Sequence, residues 1–441
     1  MTMTITINAQ ARSSLFSDDF KTDPYWWEES PRPQLAAPPL PKSVDVLVVG
    51  SGYTGLNAAL VTARAGRSTL IVEKDRVGEG CSTRNGGQIS TSVKPSFAEL
   101  SRRHGAEAGR AILMDGREAL RWIGEFVREE AIDCGFAVCG RFHAAHSAGA
   151  FEAMRKDAQN RTPGLEVEID VVPRAEQHRE IGTDAYHGGV VLRRHAVLDP
   201  GRYHAGLVRR VLDAGAGIAE RCPAGAIRRE GGGFVVSTPR GDVAAREVVI
   251  ATNGYTGGVT PWLRRRVIPI GSYVIATEPM PREIMREIIP QDRIVSDSRR
   301  VVYYYRLSPD GTRMIFGGRV SRAETDPRVS GPLLHGEMAR LFPQLARTRI
   351  SHSWMGFVAY TFDTLAHTGS HEGMHYAMGY CGSGVSMASY LGMRTGQRLL
   401  GLKEGRTGLE QTKFQTRPFY TGNPWFLAPS VAYYRWLDSR G

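Results

Sequence analysis

A short glycine-rich segment near the N-terminus has residue types and spacing that suit phosphate binding. The sequence GSGYTG begins at Gly50 and directly follows the apolar run VDVLVV. Gly50 allows a tight turn, Gly52 puts no Cβ between the backbone and a pyrophosphate, and Gly55 allows a helix to pack closely on a strand. A helix that includes Tyr53 and Thr54 would present free N–H groups and its positive dipole end to the phosphates. We therefore predict that a dinucleotide binds at this turn.

The apolar pattern around the turn predicts the strand, helix and strand that such a site requires. Val44–Val49 and Thr69–Val72 are typical of buried parallel strands, and residues 54–65 have helical spacing. Glu73 follows the second strand, where a carboxylate can accept hydrogen bonds from both hydroxyls of an adenosine ribose. The adjacent Lys74 is included in the predicted site.

Three later segments distinguish a flavin from a nicotinamide cofactor. A nicotinamide-linked dehydrogenase, one alternative, has no need of the RNGGQ segment that begins at Arg84. The sequence ATNG at Ala251 closes another buried strand, and GSG at Gly382 precedes a helix whose N-terminus would stabilise the negative charge of a reduced flavin. Besides the residues above, the predicted FAD site contains Arg84, Asn85, Gly86, Gly87, Gln88, Ala224, Ala251, Thr252, Asn253, Gly254, Gly382, Ser383, Gly384 and Val385.

In this order the four segments resemble the D-amino-acid oxidase superfamily of FAD-dependent amine and amino-acid oxidoreductases, over residues 25–400. The YWW sequence at Tyr25, the RNGGQ segment, and the motifs at Ile270–Tyr273 and Phe316–Arg319 are most similar to the gamma-glutamylputrescine oxidase and iminodiacetate oxidase-like branch. The resemblance implies an α/β fold, with a Rossmann-like FAD-binding domain and a discontinuous, strand-rich substrate domain. It also implies oxidation of a C–N bond by hydride transfer to flavin N5, hydrolysis of the imine to a carbonyl compound and an amine, and reduction of O2 to H2O2.

The resemblance does not transfer a substrate-binding residue. Sarcosine-type relatives bind the substrate carboxylate with a lysine where this chain has Ser386, and D-amino-acid oxidases use an arginine that is missing after Gly356-Phe357. We expect a small carboxylated amine, such as an N-carboxymethyl amine like iminodiacetate, gamma-glutamylputrescine, sarcosine or glycine. The residues expected to line its site, in strands that cover the flavin in relatives, are Tyr273, Tyr303, Tyr305 and Arg306.

Further departures concern the cofactor and its oxidant. Relatives often have histidine where the last glycine turn has Ser383, and sarcosine-type relatives attach FAD through a cysteine where this chain has Val358, so we expect non-covalent FAD. Those relatives also place a lysine near flavin N5, in the strand that corresponds to Arg313–Phe316, which has none. We expect O2 as the acceptor, with an FAD-linked amine dehydrogenase that uses another acceptor as the alternative.

The composition of the 441-residue chain bears on partners and location. Lys and Arg number 56 against 45 Asp and Glu, a formal charge of +11, but the cations are scattered, so we expect attraction of small anions and no nucleic-acid partner. An FAD-dependent RNA-modifying protein is the alternative that this charge suggests. The five cysteines include no CxxC pair, and glycines separate His367, His371 and His375, so we predict no metal site. No apolar run approaches the ~18 residues of a membrane span and no signal peptide is evident, so we expect a cytoplasmic protein.

The chain divides into an arm and two predicted domains. The proline-rich residues 1–42 are expected to form an arm that lies on a surface. Residues 95–133 have helical spacing, 136–198 alternate short strands with turns, 202–214 form a helix after the cap Asp199, and 385–402 form the last helix. The predicted FAD-binding domain comprises residues 43–94, 185–258 and 350–441, and the predicted substrate domain comprises 95–184 and 259–349.

Overall fold

The computed structural model describes residues 15–37, 39–91, 93–159, 162–321 and 324–440. The strands are β1 (Phe16–Lys21), β2 (Ser43–Val49), β3 (Thr69–Val72), β4 (Gln88–Ile89), β5 (Arg141–Ala144), β6 (Ile169–Val172), β7 (Gly189–Leu192), β8 (Ala196–Val197), β9 (Gly217–Ala219), β10 (Ile227–Glu230), β11 (Gly233–Val236), β12 (Val243–Ile250), β13 (Ile268–Thr277), β14 (Ile294–Asp297), β15 (Tyr303–Leu307), β16 (Met314–Gly318), β17 (Ile350–Tyr360), β18 (His367–His371) and β19 (Met374–Met378).

Helices connect the strands and cover the sheets. They are α1 (Trp26–Glu29), α2 (Tyr53–Arg64), α3 (Phe97–His104), α4 (Ala106–Glu129), α5 (Ala148–Gln159), α6 (Pro200–Asp213), α7 (Pro261–Arg264), α8 (Arg282–Ile288), α9 (Pro327–Leu341), α10 (Gly384–Leu399) and α11 (Leu427–Asp438). Among the described helices, none has the length and apolar character needed to cross a membrane.

The eight-stranded sheet contains the predicted dinucleotide unit. Its main path runs β10-β11-β12-β2-β3-β9, and β19 pairs with both β12 and β18. Strands β12, β2, β3 and β9 run parallel to their neighbours within this group. Val46 and Val48 enter the core that contains α2, whereas Leu47 and Val49 enter the core on the opposite side. Burial on both faces accounts for the nearly continuous apolar sequence of β2.

Helices α2 and α10 pack with almost no space between them. A Cβ on Gly392 would lie 2.4 Å from the carbonyl oxygen of Thr54, and one on Gly396 would lie 2.8 Å from Val61 Cβ. The hydroxyls of Thr54 and Tyr380 are also 2.6 Å apart. These contacts hold the last glycine turn, which precedes α10, beside the start of α2.

The nine-stranded sheet runs β1-β17-β13-β16-β15-β14-β5-β7-β6. Its back face carries Tyr273 and Phe316 in one large core, and its opposite face carries Val274, Ile315 and Trp354. We call this second face the front face. Trp354 Nε1 donates to the carbonyl oxygen of Arg84 at 3.0 Å, so the front face is directed towards the predicted cofactor segment.

The N-terminal segment is part of the fold, which corrects the expectation that it lies on a surface as an arm. Phe16–Lys21 forms the edge strand β1, parallel to β17. Trp26 is fully buried on the front face, and its Nε1 donates to the carbonyl oxygen of Asn85 at 2.8 Å. The expectation of a surface arm was based on the prolines at 31–41, whereas the apolar and aromatic residues that enter the fold precede them. Residues 1–14 lie outside the described part of the chain.

The α/β fold class is confirmed, and several elements occur as predicted. Helix α6 follows Asp199, whose side chain accepts a hydrogen bond from the Arg202 N–H at 3.0 Å. Two predictions were wrong, because residues 136–198 also contain α5 and because α11 follows α10. Strands β7 and β17 lie in residues assigned to the FAD-binding domain, but they are hydrogen-bonded in the nine-stranded sheet. The division into domains stays a prediction.

Candidate cofactor and substrate site

A cavity of about 240 Å³ lies at the carboxyl ends of β2, β3 and β12. Gly50 turns the chain there with φ of +104°, a conformation that favours glycine, and α2 begins directly after Gly52. The cavity is lined by eight of the residues predicted to bind the cofactor: Gly50, Gly52, Glu73, Lys74, Ala224, Ala251, Thr252 and Asn253.

The second and third glycines of the turn have different structural roles. A Cβ on Gly55 would lie 2.0 Å from the carbonyl oxygen of Gly50, so this glycine is required for the helix to pack on the strand. A Cβ on Gly52 would meet only the Ser82 hydroxyl, at 3.0 Å, and would otherwise reduce the cavity at the start of α2. Gly52 therefore leaves space for a ligand, as the sequence predicts.

Glu73 is held at the edge of this cavity by its neighbours. Its Oε2 accepts hydrogen bonds from the Ser51 N–H at 2.9 Å and the Ser51 hydroxyl at 2.7 Å, and its Oε1 accepts one from the Asp75 N–H at 3.2 Å. A carboxylate oxygen has lone pairs to spare in such an arrangement. The glycine turn, the helix N-terminus and this fixed carboxylate fit the adenosine diphosphate half of FAD.

The RNGGQ segment lies outside this cavity and against the nine-stranded sheet. Arg84 is bound to Glu79, with Nη2 2.6 Å from Oε1 and Nε donating to the carbonyl oxygen. The Asn85 side chain accepts a hydrogen bond from the Gly87 N–H at 2.8 Å. Gln88 Nε2 donates to the carbonyl oxygen of Tyr305 at 3.0 Å. These side chains fix the segment against the front face of the nine-stranded sheet.

Other predicted cofactor residues have packing roles. The Tyr53 hydroxyl donates to the carbonyl oxygen of Pro200 at 3.3 Å, and Thr54 is bound to Tyr380. A Cβ on Gly254 would lie 2.9 Å from the carbonyl oxygen of Phe357, and Val385 is buried in the core. They support the site from behind without lining the cavity.

The last glycine turn brings together two residues that the sequence analysis did not include. A Cβ on Gly382, whose φ is +89°, would lie 3.4 Å from the Tyr360 hydroxyl and 4.0 Å from Lys94 Nζ. Lys94 Nζ donates to that hydroxyl at 3.0 Å. Ser383 and Gly384 follow at the start of α10. The motif marked this turn, but nothing local to Lys94 or Tyr360 indicated that they meet there.

The front face beside these segments carries side chains that are neither fully buried nor fully exposed. They are Ile270, Ser272, Tyr304, Val358 and Tyr360. The hydroxyls of Tyr304 and Ser272 are 2.9 Å apart, and the Tyr304 ring lies 3.2 Å from a Cβ built on Gly86. An interior surface that solvent can partly reach, next to a cofactor segment, is suited to bind a small molecule.

The structure places three of the four residues expected to line the substrate site behind the nine-stranded sheet. Tyr273, Tyr303 and Tyr305 belong to the core behind the sheet. There, the Tyr273 hydroxyl donates to Glu324 at 2.8 Å and the Tyr305 hydroxyl donates to Tyr186 at 3.1 Å. Strand alternation separates them from Tyr304, which lies on the front face.

Arg306 shares the front face but is covered by the rest of the chain. It is buried, and its Nε and Nη1 each donate at 2.9 Å to a carbonyl oxygen, of Leu307 and Leu198 respectively. The contact with Leu198 joins strand β15 to the chain that leads into α6, and the contact with Leu307 lies within β15. Arg306 therefore has a structural role in this position, and its contact with substrate stays a prediction.

The three histidines considered for metal binding have separate partners. His367 is bound to Asp363 at 3.1 Å, His371 stacks on Trp262 with 4.0 Å between ring centroids, and His375 lies 3.4 Å from Glu247. They belong to the β18–β19 hairpin, where the chain between them turns.

Comparison with known proteins identifies the family. A family model described as "DAO: FAD dependent oxidoreductase" matches residues 45–398. The chain belongs to this family of FAD-dependent oxidoreductases. The protein described as "probable oxidoreductase OrdL" of Rhizobium meliloti is 31% identical over 89% of this chain and 92% of its own length. Gamma-glutamylputrescine oxidoreductase of Escherichia coli is 30% identical over 90% of this chain and 93% of its own length.

Solved structures agree on the fold of this family member. Glycine oxidase from Geobacillus kaustophilus superposes with a TM-score of 0.70 at 19% identity, covering 86% of this chain and 99% of that one. Iminodiacetate oxidase from Chelativorans sp. BNC1 gives 0.66 at 15% identity, covering 84% and 98%. The predicted Rossmann-like fold, the family and the FAD cofactor are confirmed, and the protein is an FAD-dependent oxidoreductase.

Proposed function

We propose that this protein oxidises the C–N bond of a small carboxylated amine, most simply a secondary amine. The carbon next to nitrogen gives up a hydride, and water then converts the imine to a carbonyl compound and a shorter amine. Bound FAD supplies the hydride acceptor at its N5 position. Candidate substrates are gamma-glutamylputrescine, N-carboxymethyl amines such as iminodiacetate, and sarcosine or glycine.

The observation that carries the proposal is that a relative named for an amine substrate and the front face beside the cofactor segments point to the same kind of ligand. A relative that matches 90% of this chain at 30% identity is named for oxidation of gamma-glutamylputrescine. The front face presents partly exposed, mainly apolar and hydroxyl-bearing side chains beside the cofactor segments, including Ile270, Ser272 and Val358. Such a surface can orient an amine without requiring a general base, because the amine needs only to arrive deprotonated.

The protein's own contribution to the reaction is orientation and electrostatics. The N-terminus of the 16-residue helix α10 follows the last glycine turn, and its positive dipole end would stabilise negative charge on the bound cofactor. Lys94 adds a full positive charge beside Gly382. The helix end is fixed before the reaction, so it requires little reorganisation when charge develops, and the exposed Lys94 is oriented by its hydrogen bond with Tyr360.

The proposal includes non-covalent FAD. Val358 stands where sarcosine-type relatives carry the attachment cysteine, and it offers no nucleophile. Cys81 does line the cavity at the glycine turn, but burial raises the pKa of its thiol to about 11, so the thiol stays protonated at neutral pH. Acid denaturation should release all flavin into the supernatant. Flavin fluorescence that migrates with the denatured chain on a gel would disprove this part.

We also propose O2 as the electron acceptor, with H2O2 as the product. Lys94 is a cation near the predicted cofactor site, and a cation stabilises the superoxide that the first electron transfer produces. Stopped-flow mixing of amine-reduced enzyme with air-saturated buffer tests this point. Reoxidation no faster than that of free reduced flavin, together with rapid turnover on an artificial acceptor, would favour the dehydrogenase.

The decisive experiment for the function as a whole is anaerobic reduction. The purified holoenzyme is mixed with a panel of amines, each paired with an analogue in which an amide replaces the carboxylate, and loss of flavin absorbance is followed. We expect a carboxylated secondary amine to reduce the flavin, and its uncharged analogue to do so much more slowly. If no amine or amino acid reduces the flavin, the proposed function is wrong.

A further inference from the structure

The start of strand β5 carries a cation that has no acidic partner among the described residues. Arg141 Nε donates to His195 Nδ1 at 3.1 Å, and Nη1 donates to the Ser296 hydroxyl at 3.0 Å. His143 Nδ1 lies 3.0 Å from the same hydroxyl. In the part of the chain that the structure describes, no carboxylate lies within 4.0 Å of Arg141.

Other arginines on this sheet show how unusual this arrangement is. Arg293 is paired with Glu180 at 2.7 Å and Arg319 with Glu324 at 3.0 Å. Arg306 has both its Nε and its Nη1 bound to carbonyl oxygens. Arg141 is bound by neutral side chains instead, and its Nη2 has no hydrogen bond to a described residue. Of these four arginines, Arg141 is the one that both lacks a carboxylate partner and is partly exposed, whereas Arg306 is buried.

The surroundings of Arg141 are suited to an anion. Burial lowers the pKa of Arg141 to about 10, so it remains charged at neutral pH although its hydration is reduced. Burial and the nearby guanidinium lower the pKa of His143 to about 4 and that of His195 to about 3, so both imidazoles are neutral. Since His195 Nδ1 accepts from Arg141, its proton is on Nε2, a buried atom without a hydrogen-bond partner in the described structure.

A charged group that is removed from water without a counter-ion lowers stability unless something else compensates it. Arg141 and His143 are partly exposed, so a small solute can reach them. A bound anion would supply the missing charge and accept from donors that otherwise lack partners. The donor set contains no acidic group that would repel it.

The position of this cluster connects it with the site already described. Strand β5 pairs with β14, which places His143 beside Ser296, and β14 pairs with β15, which places Ser296 beside Tyr304. All three therefore lie on the front face, in one row across neighbouring strands. Gln88 of the RNGGQ segment donates to the carbonyl oxygens of Val295 and Tyr305, so the segment spans the same strands.

We propose that Arg141, together with Ser296 and His143, binds the carboxylate of the substrate. This inference rests on the proposed function, and it names the part of the site that selects carboxylated amines. Arg141 takes the role for which the sequence analysis considered Arg306. The planar guanidinium suits a carboxylate, and the neutral imidazoles add orientation without adding charge.

The test is isothermal titration calorimetry of the oxidised holoenzyme with acetate, and with acetamide as the uncharged isostere. Acetate should bind, and Arg141→Gln should raise its dissociation constant by roughly 10- to 150-fold, as expected for the loss of a charge-assisted hydrogen bond. Arg141→Lys keeps the charge and should lose less. The matched control Arg194→Gln removes an exposed arginine that is paired with Glu168, and it should leave acetate binding unchanged. An unchanged dissociation constant in Arg141→Gln overturns the proposal.

Two further readouts keep the test independent of folding and of turnover. If Arg141→Gln does not retain FAD, crystals of the wild-type holoenzyme are soaked in bromide, and an anomalous peak at the Arg141 guanidinium is expected; its absence overturns the proposal. Acetate should also compete with the amine substrate, and non-competitive inhibition refutes the assignment to substrate. Acetate binding that depends on Arg141 in an enzyme that no amine reduces would refute the proposed function while keeping the anion site.

Discussion

The replacement Gly52→Val separates the role of the glycine turn in binding from its role in folding. A Cβ at this position meets only the Ser82 hydroxyl, at 3.0 Å, so the chain can fold after a small side-chain movement. The two valine methyl groups would then lie in the cavity at the start of α2, where the pyrophosphate is expected. We expect the variant to fold and to be purified without flavin.

The magnitude follows from the linkage between binding and folding. A ligand at 100 times its dissociation constant stabilises the folded state by about 2.7 kcal/mol. Thermal unfolding of wild-type apoprotein should therefore shift upwards on addition of FAD, and Gly52→Val should show almost no shift. The matched control is Gly258→Val, because a Cβ at Gly258 meets nothing within 4 Å. Gly55→Val should fail at an earlier stage, since its Cβ would lie 2.0 Å from a backbone oxygen. Gly52→Val purified with a full complement of flavin would refute the reasoning.

Three further predictions concern single residues. Arg306→Met should lower the free energy of unfolding by roughly 1–3 kcal/mol, because it leaves two carbonyl oxygens without their donor. Unchanged stability together with weaker acetate binding would instead indicate that Arg306 contacts the substrate. Lys94→Met should slow the reoxidation of the reduced flavin by O2 about tenfold, which is equivalent to about 1.4 kcal/mol of charge stabilisation. An unchanged reoxidation rate in stopped-flow measurements would show that Lys94 does not assist this step. Burial raises the pKa of Asp115 to about 6, so the contribution of this carboxyl to stability is largest below pH 4 and is lost as the pH rises through 6. In urea unfolding, the free energy of unfolding of Asp115→Asn should depend less on pH than that of the wild type, and the same pH dependence in both proteins would contradict the raised pKa.

The cofactor half of the protein could be predicted from sequence because its determinants are local. The turn at Gly50, the strand before it and Glu73 after the next strand lie within a short stretch, and each has a recognisable residue type. The conformation of Gly50 and the hydrogen bonds of Glu73 agree with that prediction. The RNGGQ segment was also identified, although it is bound to the nine-stranded sheet and does not line the cavity at the glycine turn.

The substrate half was harder to predict because its determinants are distant in sequence. Lys94 and Tyr360 are 266 positions apart and meet only when the last glycine turn lies between their segments. Arg141, Ser296 and His195 likewise come from three separate strands and turns. No local pattern distinguishes Arg141 from the many other arginines in the chain, because its neutral partners His195 and Ser296 come from segments that are distant in sequence.

The sequence of strand β15 determines which residues share a face but not which face meets the cofactor. Alternation correctly places Tyr303 and Tyr305 on one face and Tyr304 and Arg306 on the other. The sequence does not reveal which face meets the cofactor, because both faces of this central strand are largely buried and both carry tyrosine. That choice is made by the neighbours: Gly317 on β16 leaves room for the Tyr304 ring, and Trp26 from the N-terminal arm covers the guanidinium of Arg306. A cation on this face is consequently available to a ligand only where no other segment of the chain covers it. Arg306 is buried beneath Trp26, whereas Arg141 is partly exposed.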